Sequence, residues 1–171
     1  MAAVIGFPVE QIQKICRETG AEVANYNSPQ QIVITGHAEK VEKACDLMRD
    51  SGAKSVIPLE VSGAFHSSLM QPAARQFKEV LRNIKFTPPQ FPLISNVDGQ
   101  PAVDSEKIRA NLAKQITSSV QWVASIQYIA QQGVTTFIEI GPGKVLAGLI
   151  RRIDPTLRVH NIEKPEDIEK L

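Results

Sequence analysis

Aromatic residues are scarce: six Phe, two Tyr and one Trp make up 5% of the chain. Too few rings are available for a surface that binds nucleic acid by stacking bases. Charge of one sign is missing as well. Nineteen Lys and Arg face eighteen Asp and Glu, a formal net charge of +1, so no basic footprint marks a nucleic-acid partner. Apolar runs are short and interrupted, well below the ~20 residues that span a bilayer. The stretch Met1-Ala2-Ala3-Val4-Ile5-Gly6-Phe7-Pro8 has neither the basic start nor the long apolar core of a signal peptide. Only two cysteines occur, Cys16 and Cys45. Without a CxxC or Cys/His spacing, they read as reduced, buried thiols of a cytoplasmic protein.

What is present is an alternation of short apolar strands and amphipathic helices. Met1 to Gly6 reads as a strand, and Val9 to Thr19 as a helix with Val9, Ile12, Ile15 and Cys16 inward. Glu22–Tyr26 and Gln31–Thr35 read as strands joined through Asn27-Ser28-Pro29. Val41, Ala44, Cys45 and Met48 then fall at i, i+3, i+4, i+7, the spacing of one helix face. Ser55 to Val61 gives a further strand. The order β-α-β-β-α-β is that of a ferredoxin-like unit, which predicts a small subdomain over residues 1–60.

Residues 61–171 follow a different grammar. Leu69, Ala73, Phe77, Val80, Leu81 and Ile84 trace one face of a helix, with Pro72 tolerated near its start. Thr87-Pro88-Pro89-Gln90 imposes an extended linker, and Phe91–Asn96 reads as a short buried strand. Helices are predicted near Ser105–Gln115, from Val120 to Gly133, and around Leu146, Leu149, Ile150 and Ile153. Strands are predicted at Thr135–Ile140 and Arg158–Ile162. This alternation implies an α/β chain with a parallel sheet covered on both faces.

The chemistry rests on few residues. His37 opens a helix and His160 lies in the last strand, both ordinary structural places. His66 instead follows a strand and precedes a helix, where the active-site groups of α/β folds gather. Asn25 and Asn27 straddle Tyr26 before a turn, a position that turn chemistry alone explains. Asp98 reads as part of a turn ending at Gly99. Gly141-Pro142-Gly143-Lys144 suggests a phosphate loop, but Val145 stands where a Ser or Thr is required. A tight strand-to-helix turn, with Pro142 near the first helical position, is the better reading.

The segment Val61-Ser62-Gly63-Ala64-Phe65-His66-Ser67-Ser68-Leu69-Met70 also carries a resemblance. With Asn25-Tyr26-Asn27-Ser28-Pro29, Ser95-Asn96-Val97-Asp98-Gly99 and Glu139-Ile140-Gly141-Pro142-Gly143-Lys144-Val145-Leu146, it resembles the malonyl-CoA:acyl-carrier-protein transacylase family. The resemblance implies a ping-pong malonyl transfer from coenzyme A to acyl carrier protein in fatty acid biosynthesis, without metal or redox cofactor. It implies that His66 is the catalytic base and that the backbone carbonyl of Gln115 orients it. Asn25 and Asn27 would line the cleft and contact substrate or carrier arm. Phe65 would favour malonyl over branched units. The fold implied for residues 61–171 is the C-terminal part of an α/β-hydrolase-like large domain.

That family's nucleophile sits in a Gly-His-Ser-Leu-Gly type elbow, and no serine here has glycine two residues before it. The resemblance therefore implies a back portion of the enzyme, inactive alone, whose partners include malonyl-CoA, acyl carrier protein and the missing N-terminal half. Two other readings stay open. One is an acyltransferase fragment of a polyketide or large fatty-acid synthase, against which the charged ending Pro165–Leu171 speaks mildly. The other is a non-catalytic carrier-protein-binding module.

Overall fold

The structure, a computed structural model, describes residues 1–170. It is a mixed α/β chain whose residues group into two compact units, Met1–Ser125 and a second from Ile126 onward.

The first unit opens with strand β1 (Ala2–Ile5), helix α1 (Val9–Thr19), strands β2 (Glu22–Ser28) and β3 (Gln31–Thr35), helix α2 (Ala38–Asp50) and strand β4 (Ser55–Pro58). The four strands form one antiparallel sheet in the order β2-β3-β1-β4. Alternation along the strands sorts the faces. Ala2, Val4, Ile32 and Ile34 meet Ile12, Ile15 and Cys16 of α1 and Val41, Ala44, Cys45 and Met48 of α2, all buried. Burying each large side chain of this set contributes about 1.5–3 kcal/mol. The opposite face is shallow, with Ala3, Ala24 and Val33 buried beside Met1 and Leu59. Gly20 ends α1 at φ +76°, a left-handed cap that spares any side chain the strain of that conformation. Strand β4 stops at Pro58 rather than at Val61 as predicted, because Pro58 takes the last register position opposite Ala2.

Beyond β4 come a single 3-10 turn at Ser68–Met70 and helix α3 (Gln71–Arg82). Strands β5 (Leu93–Ile94) and β6 (Pro101–Ala102) form a two-residue antiparallel hairpin, followed by helices α4 (Ser105–Gln115) and α5 (Trp122–Gln131). Gly99, in the β5–β6 turn, has φ +67°, and a Cβ there would lie 2.9 Å from that of Ala124. Arg109 of α4 donates to the carbonyl of Leu81 at 2.8 Å and stacks 4.9 Å from the centre of the Phe86 ring, tying α3 to α4.

The face traced along α3 is mostly open: Leu69, Ala73, Val80 and Ile84 are exposed and Phe77 is half-buried, while Leu81 is buried. One expectation changes here: Phe91–Asn96 is not a buried strand, since Phe91 is 78% exposed and the strand spans two residues. The prolines at 88, 89 and 92 have no N–H to give a ladder.

In the second unit, β7 (Thr136–Ile140) and β8 (Arg158–Ile162) pair in parallel, with α6 (Val145–Ile153) between them in sequence. Among the described residues this is the only parallel strand pair, and it is not covered on both faces as predicted: Ile138 and Ile140 are exposed. The Gly141–Gly143 turn is spanned from β8, where Asn161 donates to the Gly143 carbonyl at 2.8 Å. Helix α6 begins at Val145, so Pro142 lies before the helix and not at its first position. The amides of Leu146 and Ala147 donate to the Glu139 carboxylate at 3.0 and 2.9 Å. A side-chain anion thus occupies the helix start, which removes the phosphate-loop reading by geometry. Among the described residues no helix is long and apolar enough to cross a membrane.

Candidate active site

His66 stands at a turn that the sequence builds from small residues. Its φ of +59° makes it the one non-glycine residue with positive φ among the described residues. Histidine tolerates this left-handed region better than most side chains, yet the conformation costs energy and persists only where neighbours hold it. Ser67, fully buried, donates its hydroxyl to the Ala64 carbonyl at 2.6 Å and closes the turn from inside.

The imidazole Nδ1 lies 3.0 Å from the backbone oxygen of Gln115. A carbonyl only accepts, so this bond requires a proton on Nδ1 and leaves the Nε2 lone pair free. The Gln115 side-chain nitrogen also lies 3.4 Å from Nδ1. Two donors cannot share that contact, and the amide instead donates to the Ser118 carbonyl at 3.3 Å. The carbonyl is available because Gln115 ends α4, where the last carbonyls have no partner in the helix.

Strand β2 fixes both sides of this bond. The Glu22 carboxylate accepts from the Ser68 N–H at 3.1 Å and from the Ser68 hydroxyl at 2.6 Å. After α4, Ser119 donates its hydroxyl to the Val23 carbonyl at 2.6 Å, and the Val120 N–H donates to Ala24 at 2.8 Å. The Tyr26 N–H in turn donates to Val120 at 2.9 Å, making a one-residue parallel bridge at Asn25. A cleft of about 570 Å³ opens here, lined by Gln13, Arg17, Glu22, Tyr26, His66 and Lys114 among others.

The other singled-out residues are placed as follows. Asn25 and Asn27 are half-buried on β2, and Tyr26 between them lines the cleft. The register shifts between Val23 and Asn25 and between Tyr26 and Ser28, so bulges fall at Ala24, beside Asn25, and at Asn27. Phe65 is 41% exposed, with its ring folded over Gly63, 3.6 Å from where a Cβ would stand. Asp98 accepts from the Gln100 N–H at 3.1 Å and serves its own turn. His37 is the N-cap of α2 and makes no side-chain capping bond, while His160 sits in β8 opposite Ile138.

Among the described residues, no serine or cysteine is hydrogen-bonded to His66. Cys16 and Cys45 are free and buried, and burial pushes the Cys16 thiol up to about 11. Sequence reasoning missed Glu22 and Ser119. Neither carries a local signature, because each acts on a segment distant in the chain.

This arrangement holds an imidazole in one tautomer, with no serine or cysteine bonded to it among the described residues. The malonyl CoA-acyl carrier protein transacylase of Bacillus subtilis (strain 168) is 43% identical over 174 residues, covering 99% of this chain and 55% of the relative. The solved acyl carrier protein S-malonyltransferase of Vibrio cholerae O1 biovar eltor superposes with a TM-score of 0.96 at 38% identity, covering 99% of this chain and 56% of that one. A type II PKS acyl-carrier protein in complex with its malonyl-transacylase gives 0.95 at 39% identity, with the same shares. The chain therefore spans about half the length of the curated relatives it matches. The family model described as the acyl transferase domain matches residues 1–166, and the chain belongs to that family.

Proposed function

We propose that this chain supplies the general base of a malonyl-CoA:acyl-carrier-protein transacylase, a transferase of fatty acid biosynthesis. The observation that carries the reading is the His66 Nδ1 bond to the Gln115 carbonyl at 3.0 Å, which presents Nε2 as a base. Nε2 takes the proton of a serine hydroxyl as that oxygen attacks the malonyl thioester. The tetrahedral adduct collapses to a malonyl-serine ester, and the proton leaves with the coenzyme A thiol. In the return half-reaction, Nε2 takes a proton from the carrier protein's thiol and gives it back to the serine oxygen. A half-buried acceptor on the far nitrogen keeps one tautomer throughout, the role that a carboxylate plays in serine hydrolases.

The serine comes from outside this stretch of sequence, from the N-terminal portion that the relatives carry. Malonyl-CoA, acyl carrier protein and that portion are the partners in this reading, and the two buried free thiols suit a cytoplasmic protein. Residues 1–60 form a ferredoxin-like subdomain, a reading supported by the order β-α-β-β-α-β and the sheet order β2-β3-β1-β4. Residues 61–171 belong to an α/β-hydrolase-like large domain, whose parallel sheet the β7–β8 pair would extend. Asn25 and Asn27 flank the cleft through β2 and contact the substrate or its carrier arm. Phe65, next to the base, crowds an α-methyl branch and favours malonyl.

The deciding experiment measures malonyl transfer to acyl carrier protein by the 171-residue chain alone and with the N-terminal portion of the Bacillus subtilis relative. The chain alone should show none, and the assembled enzyme should show transfer. Transfer by the pure chain at ordinary enzyme rates would refute the reading.

A further inference from the structure

We infer that Glu22 is a positioning residue for His66: its carboxylate caps the backbone at Ser68 and holds the left-handed turn that aims the imidazole at Gln115. The inference rests on His66 being the base, and it adds a residue that neither the motif nor the cleft's histidine reveals.

The need for Glu22 arises from the start of the 3-10 turn Ser68–Met70. A helix start leaves amides without partners, and the residue before it commonly accepts one of them through its side chain. Here that residue is Ser67, at φ −128° and ψ 168°, and it makes no side-chain capping bond. Its hydroxyl is committed to the Ala64 carbonyl at 2.6 Å. The Ser68 amide would otherwise lack a protein acceptor. Glu22 supplies one from 46 residues away, with both oxygens 3.1 Å from that nitrogen and one of them 2.6 Å from the Ser68 hydroxyl. A charged acceptor makes these bonds stronger than neutral ones, and a carboxylate at a helix start gains from the local dipole.

His66 lies directly before the two serines, inside the turn that Ser67 closes onto Ala64, at φ +59°. Ser67 secures the turn on its inner side and Glu22 secures it on the outer side. A strained conformation survives only where its surroundings over-determine it. Glu22 also belongs to the strand whose next two carbonyls hold Ser119 and Val120, the segment that follows Gln115. One strand therefore fixes the base on one side and its orienting carbonyl on the other. With the Glu22 contact gone, the His66 turn is free to relax toward ordinary φ, and the bond to Gln115 lengthens.

The test compares Glu22→Ala, Glu22→Gln and Ser68→Ala, each as the full chain assembled with the N-terminal portion of the Bacillus subtilis relative. Glu22→Ala should lower kcat roughly ten- to a hundredfold, the scale of a misplaced catalytic group, with KM for malonyl-CoA nearly unchanged. Glu22→Gln should recover most of the loss, because an amide oxygen still accepts from Ser68. Ser68→Ala, which keeps the amide but loses the hydroxyl, should fall between them and serves if Glu22→Ala does not fold. Nitrogen-15 spectra of the imidazole in the full chain supply the readout that a purely structural role would not move. Wild type should show one tautomer with the proton on Nδ1, and Glu22→Ala a mixture. An unchanged kcat with an unchanged tautomer overturns the inference, as does a fall in kcat with His66 signals unmoved. If the wild-type assembly transfers no malonyl group, the functional reading fails by itself, and the spectra still decide the role of Glu22.

Discussion

Residues 2–58 and residues 61–140 are built from similar helices and strands, yet their apolar faces end in different surroundings. In the first stretch, α1 and α2 close over one sheet face, and Ile12 and Met48 are 0% exposed. In the second, Leu69, Val80, Ile84 and Phe91 face water, and Ile140 is 80% exposed. The second stretch also contains His66 and the carbonyl that orients it. The difference teaches that a self-contained core and a functional site are separate achievements of this chain. The closed unit lends the His66 turn an edge strand, β2, while α3 and its flanks leave Leu69, Val80 and Ile84 exposed. Not every apolar position of the second stretch is open: Ile126 of α5 is 2% exposed.

The comparison breaks most sharply at His66. In the assembled enzyme, His66→Ala should cost on the order of 10²–10⁴-fold in rate while the melting curve of the chain hardly moves. A rate within a few-fold of wild type would show that another group is the base. The core variant should behave in the opposite way. Ile12→Ala should destabilise by about 2–5 kcal/mol in urea unfolding, because it leaves a cavity in a closed core. Val80→Ala, on the open face of α3, should stay within about 0.5 kcal/mol in the isolated chain and weaken binding of the N-terminal portion. Equal losses for the two would mean that the faces do not differ as described.

Phe65 probes the site at finer scale. A methyl group in a packed pocket is worth about 1–3 kcal/mol, so malonyl should be preferred over methylmalonyl by roughly ten- to two-hundredfold. Phe65→Ser should narrow the ratio of the two kcat/KM values, and an unmoved ratio would assign the ring to packing.

The smallest effect concerns the closed core. Burial raises the Cys16 thiol from 9.0 to about 11, with the Cys45 thiol adding to the rise, so the fold favours the neutral thiol. That stability is fully present below about pH 9, where the unfolded chain also keeps its proton. It is lost as pH rises toward 11, by about 1 kcal/mol near pH 10. Urea unfolding at pH 8 and pH 10 should show the decline, and Cys16→Ala should remove that part of it.

Much of the first sixty residues was legible in sequence because local periodicity and burial agree there. The i, i+3, i+4, i+7 spacing of Val41, Ala44, Cys45 and Met48 names the face that the structure buries. The same reasoning applied to α3 named a face, but burial depends on a neighbour, and none of the described residues covers Val80. Apolar content predicts a buried strand at Phe91–Asn96, but the missing proline N–H groups leave only Leu93–Ile94 in a ladder.

By itself, the sequence determined the helices, the β-α-β-β-α-β succession of elements in the first sixty residues and the one histidine placed between a strand and a helix. Those follow from short-range rules: spacing, caps, and the position of Gly and Pro. Tertiary structure alone decided that His66 adopts φ +59°, that a carbonyl at the end of α4 receives its Nδ1, and that Glu22 caps Ser68 from another element. The physical reason is common to all three. A backbone carbonyl has no side-chain signature, a strained φ is imposed by its surroundings, and a carboxylate 46 residues away becomes a cap only when the chain folds back on itself.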